Sequence, residues 1–275
     1  MSMLTPVLRA SRGVSFRVGL RGPWQRVANH EVWSRKPPSE IDRSGKRLFQ
    51  LAGVPRSGTT LLSGLVDQQP DALCLSEPFR SWVMRGGSRY PGGVWTRHPS
   101  RLIEELCRVR SEQCIGFKET FFTSDHRHGL PNERFFRRNA AAGIVTIAIV
   151  RDPRDVYASV EASVGSRTDV PERFTRTWVA FAEWARDAAA CLVTYEELAT
   201  SPGPALERVC EALGIECHAP EATVAARFGE GDSRALRGGS VSTGSIGRFV
   251  DRLDVAKIAQ IERACGEVME TFGYA

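Results

Sequence analysis

The chain has 275 residues, 42% hydrophobic and 25% charged, which is enough for one sizeable α/β domain or two small ones. A net charge of +5 and a pI near 9.0 fit an anionic ligand, but no RNP-like aromatic pattern and no basic block in the body of the chain point to nucleic acid. The longest mainly apolar run, residues 140–150, is too short to span a bilayer. The seven cysteines are odd in number, scattered and without a C-x-x-C pair. They read as free thiols of a reducing compartment, so a cytoplasmic location is expected, and not as a disulfide framework or a zinc site.

Residues 1–46 differ from the rest. No acid precedes Glu31, while Arg9, Arg12, Arg17, Arg21 and Arg26 do. The segment reads as a basic, flexible extension, with an organelle transit peptide as the alternative. Residues 47–275 are expected to form a single domain. "RLFQLAGV" (47–54) is a buried-strand candidate, and "GTTLLSGLVDQQP" is a helix ended by Pro70. "ALCLSE" (72–77) and "CIGFKE" (114–119) are the second and third strands. "GIVTIAIVR" (143–151) is the strongest, a β-branched run suited to burial on both faces. Pro153 opens a helix to about Val164, with Asp152 as its N-cap. Residues 173–189 carry helical spacing, "CLVTYEEL" (191–198) reads as a fifth strand, and two amphipathic helices follow. Residues 80–100 and 120–139 read as irregular insertions over the site. Alternating strands and helices predict an α/β fold, a mostly parallel central sheet flanked by helices. Ligands of such sheets bind outside the carboxyl ends of the strands.

The residues that carry chemistry fall at those ends. In "GVPRSGTTLL", Gly53 and Gly58 frame a turn between a strand and a helix. Such a turn offers backbone N–H groups to an anion, with the hydroxyls of Thr59 and Thr60 and the planar charge of Arg56 beside them. A nucleotide-hydrolysing P-loop has a lysine where Thr59 stands, to reach β- and γ-phosphates. No aspartate ends a strand to hold Mg²⁺; Arg151 ends the best one. In "IVRDPRDVYASV", Ser159 follows Arg151 by eight residues, two turns into a helix, so the pair can clamp one phosphate. His126 and His128 lie in a loop, with no third ligand fixed for a metal.

Together the two motifs resemble the sulfotransferases that use 3′-phosphoadenosine 5′-phosphosulfate (PAPS), over residues 47–250. "GVPRSGTTLL" is similar to the family's 5′-phosphosulfate loop and "RDPRDVYAS" to its 3′-phosphate motif. The resemblance implies a P-loop sulfotransferase architecture, PAPS as donor, PAP as product and no required metal. It implies donor contacts from Arg56, Ser57, Gly58, Thr59 and Thr60, from Arg151 and Ser159, and from Tyr195 and Arg248. "LCLSEPF" places Glu77 21 residues after Arg56, as in the tyrosylprotein and carbohydrate branches, where a glutamate is the base. "GFKET" places Lys118 near the transferring group, so Glu77, Lys118 and Arg56 are the implied catalytic residues. His126 or His128 is the backup base, because small-molecule members use a histidine. "STGSIGRFVDRL" resembles the family's late loop, but Phe249 stands where tryptophan is usual. The expected acceptor is a hydroxyl of a small molecule or glycan: a carbohydrate, natural product or lipid. The alternatives are a P-loop small-molecule kinase and a non-catalytic PAP-binding protein.

Overall fold

Five apolar runs pair in parallel in the order β2-β5-β1-β6-β7: β1 (Arg47–Gly53), β2 (Ala72–Ser76), β5 (Cys114–Thr120), β6 (Val145–Val150) and β7 (Cys191–Thr194). The structure, a computed structural model, describes residues 40–80, 88–90, 93–95, 98–123, 131–165, 167–221, 223–224 and 239–274. Successive side chains of a strand point to opposite faces, and the two cores divide accordingly. Leu48 and Ala52 of β1 and Ala148 and Val150 of β6 enter one core. Phe49, Leu51, Ile147 and Ile149 enter the other. Both faces of the central strands are therefore covered, and each fully buried Phe, Ile or Leu contributes about 1.5–3 kcal/mol. Gly116 of β5 leaves room for the Phe49 ring, which a Cβ there would meet at 2.4 Å.

The helices cover the sheet on two sides. α1 (Thr59–Asp67), α6 (Tyr195–Thr200) and α7 (Pro202–Leu213) pack on the Phe49 face. α2 (Pro99–Val109), α3 (Glu133–Ala141), α4 (Pro153–Val164), α5 (Glu172–Ala188) and α9 (Val255–Thr271) pack on the Leu48 face. A short α8 (Phe249–Arg252) precedes α9, and two small antiparallel pairs are formed by β3 (Ser88–Tyr90) with β4 (Gly93–Trp95) and by β8 (Thr223–Val224) with β9 (Gly239–Ser240). Among the described residues no helix is long and apolar enough to cross a membrane.

The expected α/β fold with its parallel sheet is observed, and all five strand candidates are strands. Two expectations are corrected. The fifth strand stops at Thr194, because Thr194 and Glu197 form a capping box that starts α6. The stretch 120–139 is not wholly irregular: Asn132 caps α3 by accepting from the amides of Arg134 and Phe135, and α3 buries Phe135 and Phe136. Ile41 is buried in the core, Arg138 pairs with Glu40, and Lys46 donates to the carbonyl of Ser111, so residues 40–46 pack on the body ahead of Arg47. The rest of the basic extension, residues 1–39, lies outside the described residues, as do His126 and His128.

Candidate active site

The β1–α1 turn is held in an unusual backbone shape. Arg56 has φ 72° and Gly58 φ 94°, both in the left-handed region. Arginine tolerates this poorly, at roughly 1–2 kcal/mol, so the surrounding contacts must fix it. Ser57 is fully buried, and its hydroxyl and amide both donate to the carbonyl of Val54. Gly58 has no tolerance for a side chain: a Cβ would meet Cδ2 of Tyr195 at 2.5 Å. Gly58 is also the N-cap of α1 and supplies no side-chain cap, so the first-turn amides of Thr59 and Thr60 form the positive end of the helix.

Arg56 joins the turn to the second motif. Its Nε donates to Ser159 Oγ at 2.9 Å, and its carbonyl accepts from Nη1 of Arg151 at 3.1 Å. The guanidinium of Arg151 lies 4.3 Å from the centre of the Tyr195 ring and donates to the carbonyl of Ser245. Asp155 stands 3.8 Å from it. Among the described residues, Nε of Arg151 is buried without a hydrogen-bond partner. The indole of Trp178 fixes the strand end by donating to the carbonyl of Arg151 at 2.9 Å.

The late loop is tied to α4. Asp155, nearly fully buried, accepts from the amides of Gly247 at 2.8 Å and Phe249 at 3.0 Å. This brings Arg248 and Ser245 beside the Arg151 end, where Arg248 lies 3.4 Å from Ser245 Oγ. The Phe249 ring stacks under Arg154, 4.3 Å from its guanidinium. A second clasp lies behind. Glu196 accepts from the Asp152 amide at 3.2 Å and from the Tyr274 hydroxyl at 2.8 Å, while Arg154 donates to the Tyr274 carbonyl.

At the ends of β2 and β5 the chemistry is ionic. Glu77 follows β2 with φ 53°, and its amide donates to the carbonyl of Lys118 at 2.7 Å, extending the ladder one residue. Its Oε1 takes Lys118 Nζ at 2.9 Å and Thr120 Oγ1 at 3.1 Å, and its Oε2 takes Arg80 at 2.6 Å. Lys118 is 1% exposed. Burial pushes the Glu77 carboxyl up, but the charges and hydrogen bonds of Lys118 and Arg80 outweigh it and hold the carboxyl below its ordinary value. Glu119 points to the opposite face and is fully buried. It accepts from the amides of Phe79 at 2.6 Å and Arg80 at 3.2 Å. Burial, with the neighbouring Glu77 charge, pushes it up to about 8.

The structure thus brings together the sequence-expected residues in two groups: Arg56, Ser57, Gly58, Thr59, Thr60, Arg151, Ser159, Tyr195 and Arg248 around the turn, and Glu77 with Lys118 at the sheet edge. Arg80, Thr120, Glu119 and Asp155 were missed. The signal for Thr120 was available, since it shares the face of Lys118 in β5. Arg80 follows Glu77 at i+3 in a helical turn no pattern announced.

No protein-family model matches the chain, nor does any curated protein. Solved structures do. The mouse sulfotransferase SULT7A1 complexed with PAP is 14% identical, with TM-score 0.51, over 85% of this chain and 88% of that one. A sulfotransferase domain from the curacin biosynthetic pathway is 12% identical, with TM-score 0.51, over 84% and 98% of the two chains. The sulfotransferase domain of the Synechococcus PCC 7002 olefin synthase is 14% identical, with TM-score 0.55, over 84% and 96%. At these identities the likeness establishes that this chain has the fold of those sulfotransferases.

Proposed function

We propose that this chain transfers a sulfuryl group from PAPS to a hydroxyl acceptor on a carbohydrate, natural product or lipid. The observation that carries the reading is the double role of Arg56. It bonds Ser159 through its side chain and Arg151 through its carbonyl, so both phosphate motifs meet in one cluster. The residues fit a 3′-phosphorylated nucleotide: among the described residues Arg151 has a buried Nε without a hydrogen-bond partner, its hydrogen-bonded donors rest on carbonyl oxygens that an anion can replace, and Asp155 is 3.8 Å away. The first-turn amides of α1, with Thr59, Thr60 and Arg56, suit the 5′-phosphosulfate. PAPS supplies an activated sulfuryl group on a phosphate that leaves with the bonding electron pair.

Glu77, at the sheet edge, takes the proton of the acceptor hydroxyl as its oxygen bonds to sulfur and the sulfur–oxygen bond to the phosphate breaks. A glutamate base of this kind belongs to the tyrosylprotein and carbohydrate branches. Lys118 and Arg56 stabilise charge on the sulfuryl oxygens and the departing phosphate oxygen. The scheme requires no metal. All seven cysteines are free thiols, in keeping with a cytoplasmic protein.

The test is calorimetry with PAP, adenosine 5′-monophosphate and ATP with Mg²⁺, followed by transfer from labelled PAPS to a hydroxyl library. Tight binding of PAP over the other two, with transfer, is the expected result. Preference for ATP with Mg²⁺ would replace this reading with a small-molecule kinase. PAP binding without transfer to any acceptor would leave a binding protein.

A further inference from the structure

β5 places three consecutive polar residues at one strand end, and the pleat sends them to different work. Lys118 and Thr120 reach the Glu77 carboxylate on one face. Glu119 goes to the other face, where the chain has turned sharply after Glu77 and begins a helical turn at residue 78. Its Oε1 accepts the amides of Phe79 and Arg80, and Oε2 lies 3.4 Å from the Arg80 amide. One carboxylate therefore holds the residues immediately after Glu77, while the Glu77 amide is held by the Lys118 carbonyl. The left-handed backbone of Glu77 is clamped from both sides by two neighbouring residues of β5, Lys118 before it and Glu119 after it.

We propose that Glu119 is a positioning residue: by holding the Phe79 and Arg80 amides it fixes the turn that sets the Glu77 carboxylate and the Arg80 guanidinium opposite Lys118. The catalytic part of this inference rests on Glu77 acting on the acceptor as described above; the positional part does not. A glutamate is an unusual occupant of a fully buried site, because an ionised carboxylate there is costly unless its oxygens are satisfied. Here two backbone amides satisfy it, as at a capped helix start. The charges that act on it are Glu77, from the segment after β2, and Lys118, from the other face of its own strand; Arg80 meets it through its backbone amide. Its high affinity for a proton and the low affinity of Glu77 make the two a split pair of carboxylates, one held neutral near neutral pH and one held ionised.

The test uses the full chain labelled with ¹³C at glutamate carboxyls, with resonances assigned by Glu77→Gln and Glu119→Gln. Glu119→Gln retains an oxygen that can accept both amides, and Glu77 is expected to titrate as low as in the wild type. Glu119→Ala removes the anchor, and Glu119→Asp keeps the acid but shortens its reach. In both, Glu77 is expected to move up toward the ordinary glutamate range. Transfer from PAPS supplies the second readout. Misplacing a reacting group by about 1 Å can cost about 10²-fold, so Glu119→Ala and Glu119→Asp should lose transfer on that order with PAP affinity unchanged. Glu119→Gln should keep transfer at neutral pH and lose any change in rate that the wild type has around pH 8. Folded Glu119→Asp with Glu77 titrating as in the wild type would overturn the proposal. So would equal shifts in Glu119→Gln and Glu119→Asp. If the wild type transfers no sulfuryl group at all, the function reading falls, while the titration still decides the role of Glu119.

Discussion

At the β1–β6–β7 end of the site Arg151 and Arg56 donate hydrogen bonds to carbonyls and a hydroxyl, with Asp155 standing off at 3.8 Å from Arg151, whereas at the β2–β5 end the hydrogen bonds themselves join opposite charges. Arg151 donates to the carbonyls of Arg56 and Ser245, and Arg56 to the hydroxyl of Ser159. Glu77 is paired with the buried Lys118 and with the partly exposed Arg80. Neutral acceptors are weaker partners for a guanidinium than an anion is, so in the proposed function an incoming phosphate would replace them. Breaking a buried ion pair by deleting one partner costs about 3–5 kcal/mol, because the other charge is left uncompensated. The first end is prepared to exchange partners. The second holds its charges already paired, Glu77 against Lys118 and Arg80.

The largest effect that would sharpen this contrast is expected for Glu77→Gln. A general base contributes about 10²–10⁴-fold, or roughly 2.7–5.4 kcal/mol of barrier. Single-turnover transfer should fall by that order, while PAP affinity stays near the wild-type value. A melting curve must accompany it, since Lys118 and Arg80 lose their counter-charge. Near wild-type transfer would move the base elsewhere, His126 and His128 being the next to replace. Lys118→Ala should lower transfer as well, and should also loosen the donor if the lysine touches it before the transition state.

Next in size is Arg151→Ala. A hydrogen bond to a charged group is worth about 1.5–3 kcal/mol, so PAP should bind about 10- to 100-fold more weakly. Adenosine 5′-monophosphate, lacking the 3′-phosphate, should be affected far less. Equal losses for the two ligands in calorimetry would break the assignment of this end to a 3′-phosphate.

A pH effect follows from Glu119. Its folded-state affinity for a proton, at about 8, lies above the ordinary 4.5, so the neutral form is the one that folding favours. The stability it lends is fully present below about pH 4.5, declines as pH rises, and is gone above about 8. Glu119→Gln should flatten that part of the melting-temperature profile, by on the order of 2–4 °C for each kcal/mol removed. An identical pH profile in the two proteins would rule the contribution out. The smallest effect is expected from removing residues 1–39, which should leave PAP affinity unchanged in a folded protein, because the described site residues run from Arg56 to Arg248 and the truncation keeps Glu40 and Ile41 packed on the body. Loss of binding in the folded truncation would place part of the site in the extension.

The sheet was legible because burial on both faces leaves its mark as short β-branched runs, of which residues 145–150 are the plainest. The turn at Arg56 and the pair Arg151 and Ser159 were legible because glycine placement and an eight-residue helical spacing are local properties. α3 was not, since its run of arginines and phenylalanines looks polar until Phe135 and Phe136 are seen packed beneath it. The end of β7 was misjudged despite the Thr194–Glu197 pattern, because Thr194 and Tyr195 are residues that strands favour and read as a continuation of the apolar run of residues 191–193. Glu119 was passed over for a different reason. Its partners are backbone amides of another segment, and backbone amides have no letter in the sequence.

The clasp made by Tyr274 bears on how the protein should be handled at the bench. Its ring is 8% exposed, its hydroxyl bonds Glu196, and its carbonyl is held by Arg154. Glu196 in turn holds the Asp152 amide, next to Arg151, and follows Tyr195, the ring beneath that arginine. A purification tag or fluorescent fusion joined directly after residue 275 would pull on this knot, two hydrogen bonds removed from the backbone beside Arg151.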